Sequence, residues 1–152
     1  MFDDLKELYQ EVILDHARHP RHGKKLECYD ATAKGDNPMC GDKIELWLKT
    51  DADGRIVDLG FEARGCAISV ASADLMAEAV IGRTPGEARA LSSAFGDLVK
   101  TGCSAAFDQE QALASLLALK GVRDYPSRVK CATLAWHALQ AALAQTGDRE
   151  EP

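Results

Sequence analysis

The sequence predicts an α+β fold, an antiparallel sheet of about three strands with helices packed on one face. Three observations predict it. After one N-terminal helix, strand-like segments come first and the other helical ones later, the order of a sheet with a helical layer on it. Ile44, Leu46 and Leu48 alternate with Glu45, Trp47 and Lys49, and the turn Asp51-Ala-Asp-Gly54 leads into Ile56, Val57, Leu59 and Phe61. After Gly65 the apolar pattern changes to the helical kind, rich in Ala, Leu, Met and Val.

The elements follow in order. Asp3 or Asp4 caps a first helix, in which Leu5, Leu8, Tyr9, Val12 and Ile13 share one face. It runs to about Asp15 or His16, and Pro20 and Gly23 then break the chain. Residues near Ala31 to Lys34 add a strand before a Gly-Asp-Asn-Pro turn. The two β runs on either side of Asp51 to Gly54 read as an antiparallel hairpin. Ala67 to Ile81 forms a helix with Gly82 as its C-cap. Thr84 caps the next helix, with Pro85 at its first position, and that helix ends before Gly102. Asp108 to Lys120 and Ser127 to about Gln145 are helical, and the tail from Thr146 to Pro152 is polar and frayed. With no internal repeat and no linker, residues 1–152 read as one domain.

Composition narrows the function. Hydrophobic residues make up 46% and charged residues 28%, a balance that excludes wholesale disorder. A net charge of −6 argues against a nucleic-acid binder, which carries a basic face. Arg18, His19, Arg21, His22, Lys24 and Lys25 make a local basic patch, either a solvated loop or a docking surface for an acidic partner. The start Met1-Phe2-Asp3-Asp4 is acidic with no apolar run behind it, and no stretch has the length of a membrane span. A cytoplasmic protein with reduced thiols is expected. Its five cysteines, an odd number, then read as metal or redox chemistry before a disulfide framework.

Three of those cysteines sit at element boundaries. Cys40 lies in Gly35-Asp-Asn-Pro-Met-Cys-Gly-Asp42, a turn-rich segment that holds Cys40 and Asp42 just before a strand. Cys66 stands where a strand gives way to a helix, and unpaired N–H groups there favour the thiolate. Cys131 lies in the first turns of the last helix, beside Arg128 and Lys130. Three thiolates and one carboxylate suit a tetrahedral Zn²⁺, although spacing alone is a weak signal without a Cys-x-x-Cys pair. Buried cysteine as a plain apolar residue is the competing reading.

Taken together, Gly35 to Asp42, Gly65-Cys-Ala-Ile-Ser-Val-Ala-Ser72 and Arg128-Val-Lys-Cys-Ala-Thr-Leu-Ala-Trp136 resemble the SufU branch of the IscU-like (NifU N-terminal) proteins of iron–sulfur cluster assembly. Leu8-Tyr-Gln-Glu-Val-Ile-Leu-Asp-His16 and Pro20-Arg21 fit as well, so the resemblance runs from about Leu5 to Ala142. It implies an IscU-like fold, a zinc site of Cys40, Asp42, Cys66 and Cys131, and Cys40 as the thiol that accepts sulfur. In the scaffold proteins of the family a histidine precedes the third cysteine; here Lys130 stands there. An insertion in the neighbourhood of Ser92 to Tyr125 also resembles the zinc-dependent sulfurtransferase branch.

The implied partner is a PLP-dependent, SufS-like cysteine desulfurase carrying a persulfide, with iron–sulfur assembly proteins downstream. Cys40 would attack the outer sulfur, since a loop flanked by Gly and Pro can move while helix-anchored Cys66 and Cys131 hold the ion. A four-ligand zinc is closed, so Cys40 has to leave it, with a group from the partner taking its place. Arg128 either steers the incoming persulfide or is a surface arginine near a helix cap. Asp42 is a ligand on the resemblance and an ordinary turn aspartate otherwise. A scaffold holding a transient iron–sulfur cluster on the same cysteines, and an interaction module with a structural zinc, are the alternative functions. Cys28 and Cys103 belong to no matched motif and read as bystanders. His16, His19 and His22 are spaced by three, but Pro20 interrupts the helix that would align them, and His137 reads as a surface or packed histidine.

Overall fold

Alternation of apolar side chains from Ile44 to Leu48 builds the central strand of a three-stranded antiparallel sheet, order β1-β2-β3. The computed structural model describes residues 2–38, 41–103, 107 and 111–146, and their side chains except those of residues 2–8, 111 and 112. The elements are α1 (Phe2–Arg18), β1 (Ala31–Asn37), β2 (Asp42–Thr50), β3 (Ile56–Arg64), α2 (Ala67–Val80), α3 (Pro85–Thr101), a 3-10 segment (Gln111–Asp124) and α4 (Pro126–Leu143).

One face of the sheet carries the core. Ile44, Leu46 and Leu48 of β2 and Leu59 and Phe61 of β3 are buried together with Leu75 and Met76 of α2 and Leu139 of α4. Trp47 points to the other face, yet it is buried too. The chain between α1 and β1 crosses that face: Leu26 is buried and the Lys25 ammonium sits 5.6 Å from the centre of the Trp47 ring.

The β2–β3 hairpin forms as its turn residues predict. Asp51 Oδ1 accepts from the N–H groups of Asp53 (2.9 Å) and Arg55 (3.0 Å), which closes the turn around Gly54. Strand β1 is longer than expected and runs to Asn37, so Gly35, Asp36 and Asn37 lie within the strand and the turn does not begin at Gly35. Gly35 and Asn37 are turn residues by type, but Gly35 has another task. It faces Ile44 across the strands, and a Cβ on it would lie 2.9 Å from Leu134 Cδ1, so glycine is there to let α4 approach the sheet.

Helix α3 begins with the predicted cap. The Thr84 hydroxyl accepts from Glu87 N–H at 3.1 Å, and the Glu87 carboxylate accepts from Thr84 N–H at 2.9 Å, a complete capping box with Pro85 behind it. Gly102, in the left-handed conformation, ends the helix. Helix α2 stops one residue earlier than expected, with Ile81 and not Gly82 as its C-cap. Of the stretch expected to be helical from Asp108, residues 108–110 lie outside the described residues, and the rest is a 3-10 segment that continues to Asp124. Leu113, Leu116, Leu119 and Val122 are all buried at a spacing of three, the repeat of a helix with three residues per turn.

Helices α2 and α4 are pinned side by side. The Ser69 hydroxyl donates to Cys131 O (3.1 Å) and the Ser72 hydroxyl to Ala132 O (2.6 Å). The Trp136 indole N–H donates to Ser72 Oγ at 3.2 Å while its ring stacks on Phe95 with centroids 4.6 Å apart. These bonds fix where Cys131 lies relative to the start of α2. Among the described residues no helix is long and apolar enough to cross a membrane.

Candidate metal centre

Three element ends meet at one edge of the core. Asp42 is the first residue of β2, Cys66 is the N-cap of α2, and Cys131 stands in the second turn of α4. One ligand atom from each, a carboxylate oxygen and two sulfurs, lie within 4.8 Å of one another. The sequence separates them by tens of residues, and the sheet register with the serine bonds between α2 and α4 brings them together.

Asp42 has no exposure to solvent. Its Oδ1 accepts from the Cys66 backbone N–H at 3.0 Å, at the positive end of α2. Its Oδ2 is buried without a hydrogen-bond partner. A buried carboxylate oxygen left in that state is costly unless something positive meets it. Gly65 makes the approach possible. Its φ is +137°, and a Cβ there would overlap the Asp42 carboxylate.

The Cys66 side chain makes no capping hydrogen bond, so its sulfur is not spent on closing the helix end. It is partly exposed, whereas Cys131 is fully buried, its thiol 4.0 Å from Ser127 O. The packing of α4 on α2 covers Cys131. Arg128, one helical turn before Cys131 and exposed, has its pKa raised above the ordinary guanidinium value, chiefly by hydrogen bonding to Cys131 and by the charge of Cys66. Lys130, the residue before Cys131, is exposed. Cys40 lies outside the described residues.

The donor set suits a zinc ion. A tetrahedron with Zn–S bonds of about 2.3 Å has edges of about 3.8 Å, so ligand atoms no more than 4.8 Å apart need only a small contraction. Thiolates and a carboxylate are the donors zinc takes, and the Asp42 carboxylate has one oxygen, Oδ2, not spent on a hydrogen bond.

The remaining candidates fall elsewhere. Cys28 and Cys103 are exposed and outside this cluster, and His137 is exposed on α4. His16 shows what sequence reading missed. It is buried, and its Nδ1 lies 2.5 Å from Asp74 Oδ2 of α2; Asp74 Oδ1 also accepts the His22 backbone N–H at 2.8 Å. Glu78 stands within reach of the pair. Both Asp74 oxygens are taken by hydrogen bonds, so this trio ties α1 and the loop after it onto α2. In the basic patch, Arg21 pairs with Asp15 at 2.7 Å and Lys25 covers Trp47, which gives two of its cations structural partners.

Comparison with known proteins gives a consistent result. The family described as NifU-like N terminal domain matches residues 8–132. The chain is 40% identical over 146 residues to the iron-sulfur cluster assembly scaffold protein IscU of Streptococcus pyogenes serotype M1, covering 96% of this chain and 89% of that protein. It is 38% identical over 142 residues to the zinc-dependent sulfurtransferase SufU of Bacillus subtilis strain 168, covering 93% of each. The crystal structure of a nitrogen-fixing NifU-like protein (N-terminal) from Brucella abortus aligns with a TM-score of 0.82 at 29% identity, over 97% of this chain and 99% of that one.

Proposed function

This chain belongs to the NifU-like N-terminal domain family, and on that footing we propose that it works in iron–sulfur cluster assembly as a zinc-dependent sulfurtransferase. Its partner in this reading is a PLP-dependent cysteine desulfurase. The observation that carries the proposal is the convergence of ligand atoms of Asp42, Cys66 and Cys131 within 4.8 Å, with one oxygen of the buried Asp42 carboxylate left without a hydrogen-bond partner. Cys40, two residues before Asp42, is the fourth ligand and the sulfur acceptor in this reading.

The ion, when bound, keeps thiols deprotonated at neutral pH. The rest is chemistry of the chain. The Cys40 thiolate attacks the outer sulfur of the persulfide on the desulfurase. A new S–S bond forms at Cys40 as the donor S–S bond breaks, and the donor cysteine leaves as a thiolate. No oxidant is consumed, because the sulfane sulfur only changes its carrier. Arg128, exposed one helical turn before Cys131 and with its pKa raised by both thiols, holds the negative sulfur of the incoming persulfide. Arg128→Ala is expected to keep its zinc and to slow sulfur transfer about tenfold, the scale of one charge-assisted hydrogen bond. Single-turnover sulfur uptake with zinc content measured on the same sample checks this. An unchanged rate makes Arg128 a surface residue.

A scaffold for a transient iron–sulfur cluster is the second reading, favoured by the similarity to the Streptococcus pyogenes scaffold protein. Lys130 speaks against it, since a cation now stands, exposed, where a scaffold of this resemblance carries a histidine. Anaerobic incubation of the zinc-loaded protein with ferrous iron and sulfide separates the two. The sulfurtransferase keeps its zinc and stays colourless, while a stable visible chromophore replacing zinc makes the protein a scaffold.

A further inference from the structure

On the core face of the sheet, successive rungs read Ala31–Leu48–Leu59, Ala33–Leu46–Phe61 and Gly35–Ile44–Ala63. The next rung is Asn37–Asp42, where the face turns polar at the metal centre. Both side chains are buried, Asn37 at 6% exposure and Asp42 at 0%. Each holds a polar atom without a hydrogen-bond partner, Asn37 Nδ2 and Asp42 Oδ2, and these are the buried side-chain atoms in that state among the described residues. One is a donor and the other an acceptor. Residues directly opposite in an antiparallel pair project to the same face with Cβ atoms about 4.5–5.5 Å apart, within reach of an amide-to-carboxylate hydrogen bond after a side-chain rotation.

We infer that Asn37 is a positioning residue of the metal centre, its Nδ2–H donating to Asp42 Oδ2 while that oxygen gives its other lone pair to the cation. The inference rests on the metal reading of the Asp42–Cys66–Cys131 cluster. The division of labour at Asp42 is then complete. Cys66 N–H holds Oδ1 at 3.0 Å, and Asn37 holds Oδ2. An amide suits the task because it aligns the carboxylate without cancelling its charge. A lysine or arginine in its place would be a counter-ion competing with the metal. Buried carboxylate ligands depend on such outer partners, and loss of one typically weakens metal binding by about 10- to 100-fold. A buried amide with nothing to bond is otherwise a defect that the apo fold carries for no return.

Asn37→Leu, with the same branching at Cγ and without a donor, tests this. Zinc affinity is measured by competition with a chromogenic chelator, and melting temperature with and without zinc. The expected result is zinc binding weakened about 10- to 100-fold, an apo melting temperature equal to or above the wild type, and a smaller rise on adding zinc. A purely structural asparagine would lower the apo melting temperature instead. Asn37→Ala removes the amide without branched bulk and gives the same reading if the leucine variant does not fold. Wild-type zinc affinity in a folded variant, or a loss of affinity matched by a fall in apo melting temperature, overturns the assignment. If the wild type itself binds no zinc, the metal reading fails and takes this inference with it. If the wild type binds and the variants bind equally, only the role of Asn37 fails.

Discussion

Gly65→Ala is expected to abolish zinc binding and to lower stability by about 1–3 kcal/mol even without metal, the cost of a side chain forced into a sparsely populated backbone region. For a chain of this length that is a fall in apo melting temperature of about 2–12 °C. Two separate causes act at this position. The φ of +137° is one that glycine adopts and L side chains rarely do. The new methyl would also occupy the space of the Asp42 carboxylate, so Asp42 has to swing away from the Cys66 N–H and from the cluster. The second cause is what removes the metal. Gly96→Ala is the matched control with the opposite sign. A Cβ there meets nothing within 4 Å, and in the interior of α3 alanine is worth about 0.5–1 kcal/mol over glycine. Thermal melts and zinc content on both variants check the pair. A Gly65→Ala protein that keeps its zinc contradicts the placement of Asp42 at the centre of the site.

The large elements were legible because their signals are local. Alternation in Ile44, Leu46 and Leu48 and the Asp51 to Gly54 turn announce the hairpin, and Thr84 and Pro85 spell a helix start that forms, with Glu87 completing its capping box. Where residue type was read without its packing partner, the reading slipped. Gly35 and Asn37 look like turn formers, but one makes room for Leu134 of α4 and the other faces Asp42 within the sheet. Trp47 sits at an alternation position that points away from the helices, and only the return of the chain at Lys25 and Leu26 buries it. Leu113, Leu116, Leu119 and Val122 did carry a signal, a repeat of three that distinguishes a 3-10 segment from an α-helix.

The candidate site was legible to a different degree. Asp42, Cys66 and Cys131 were named from their motifs, and their convergence depends on contacts between residues far apart in sequence that no local pattern encodes. The hydrogen bonds that support them were not readable. Ser69 and Ser72 belong to an ordinary small-residue run until α4 is laid against it. The same holds for His16. Its three-residue spacing to His19 hints at metal binding, whereas its actual partner is Asp74, fifty-eight positions along the chain.

In the proposed function this protein takes sulfur from a desulfurase on Cys40. The most direct test is desulfurase turnover of free cysteine in the presence of wild type and of Cys40→Ala, with folding and zinc content measured on both. The wild type is expected to stimulate turnover, and folded Cys40→Ala to give only the unaided rate. Stimulation that survives the loss of Cys40, or a zinc-loaded wild type that leaves turnover unchanged, would contradict that function.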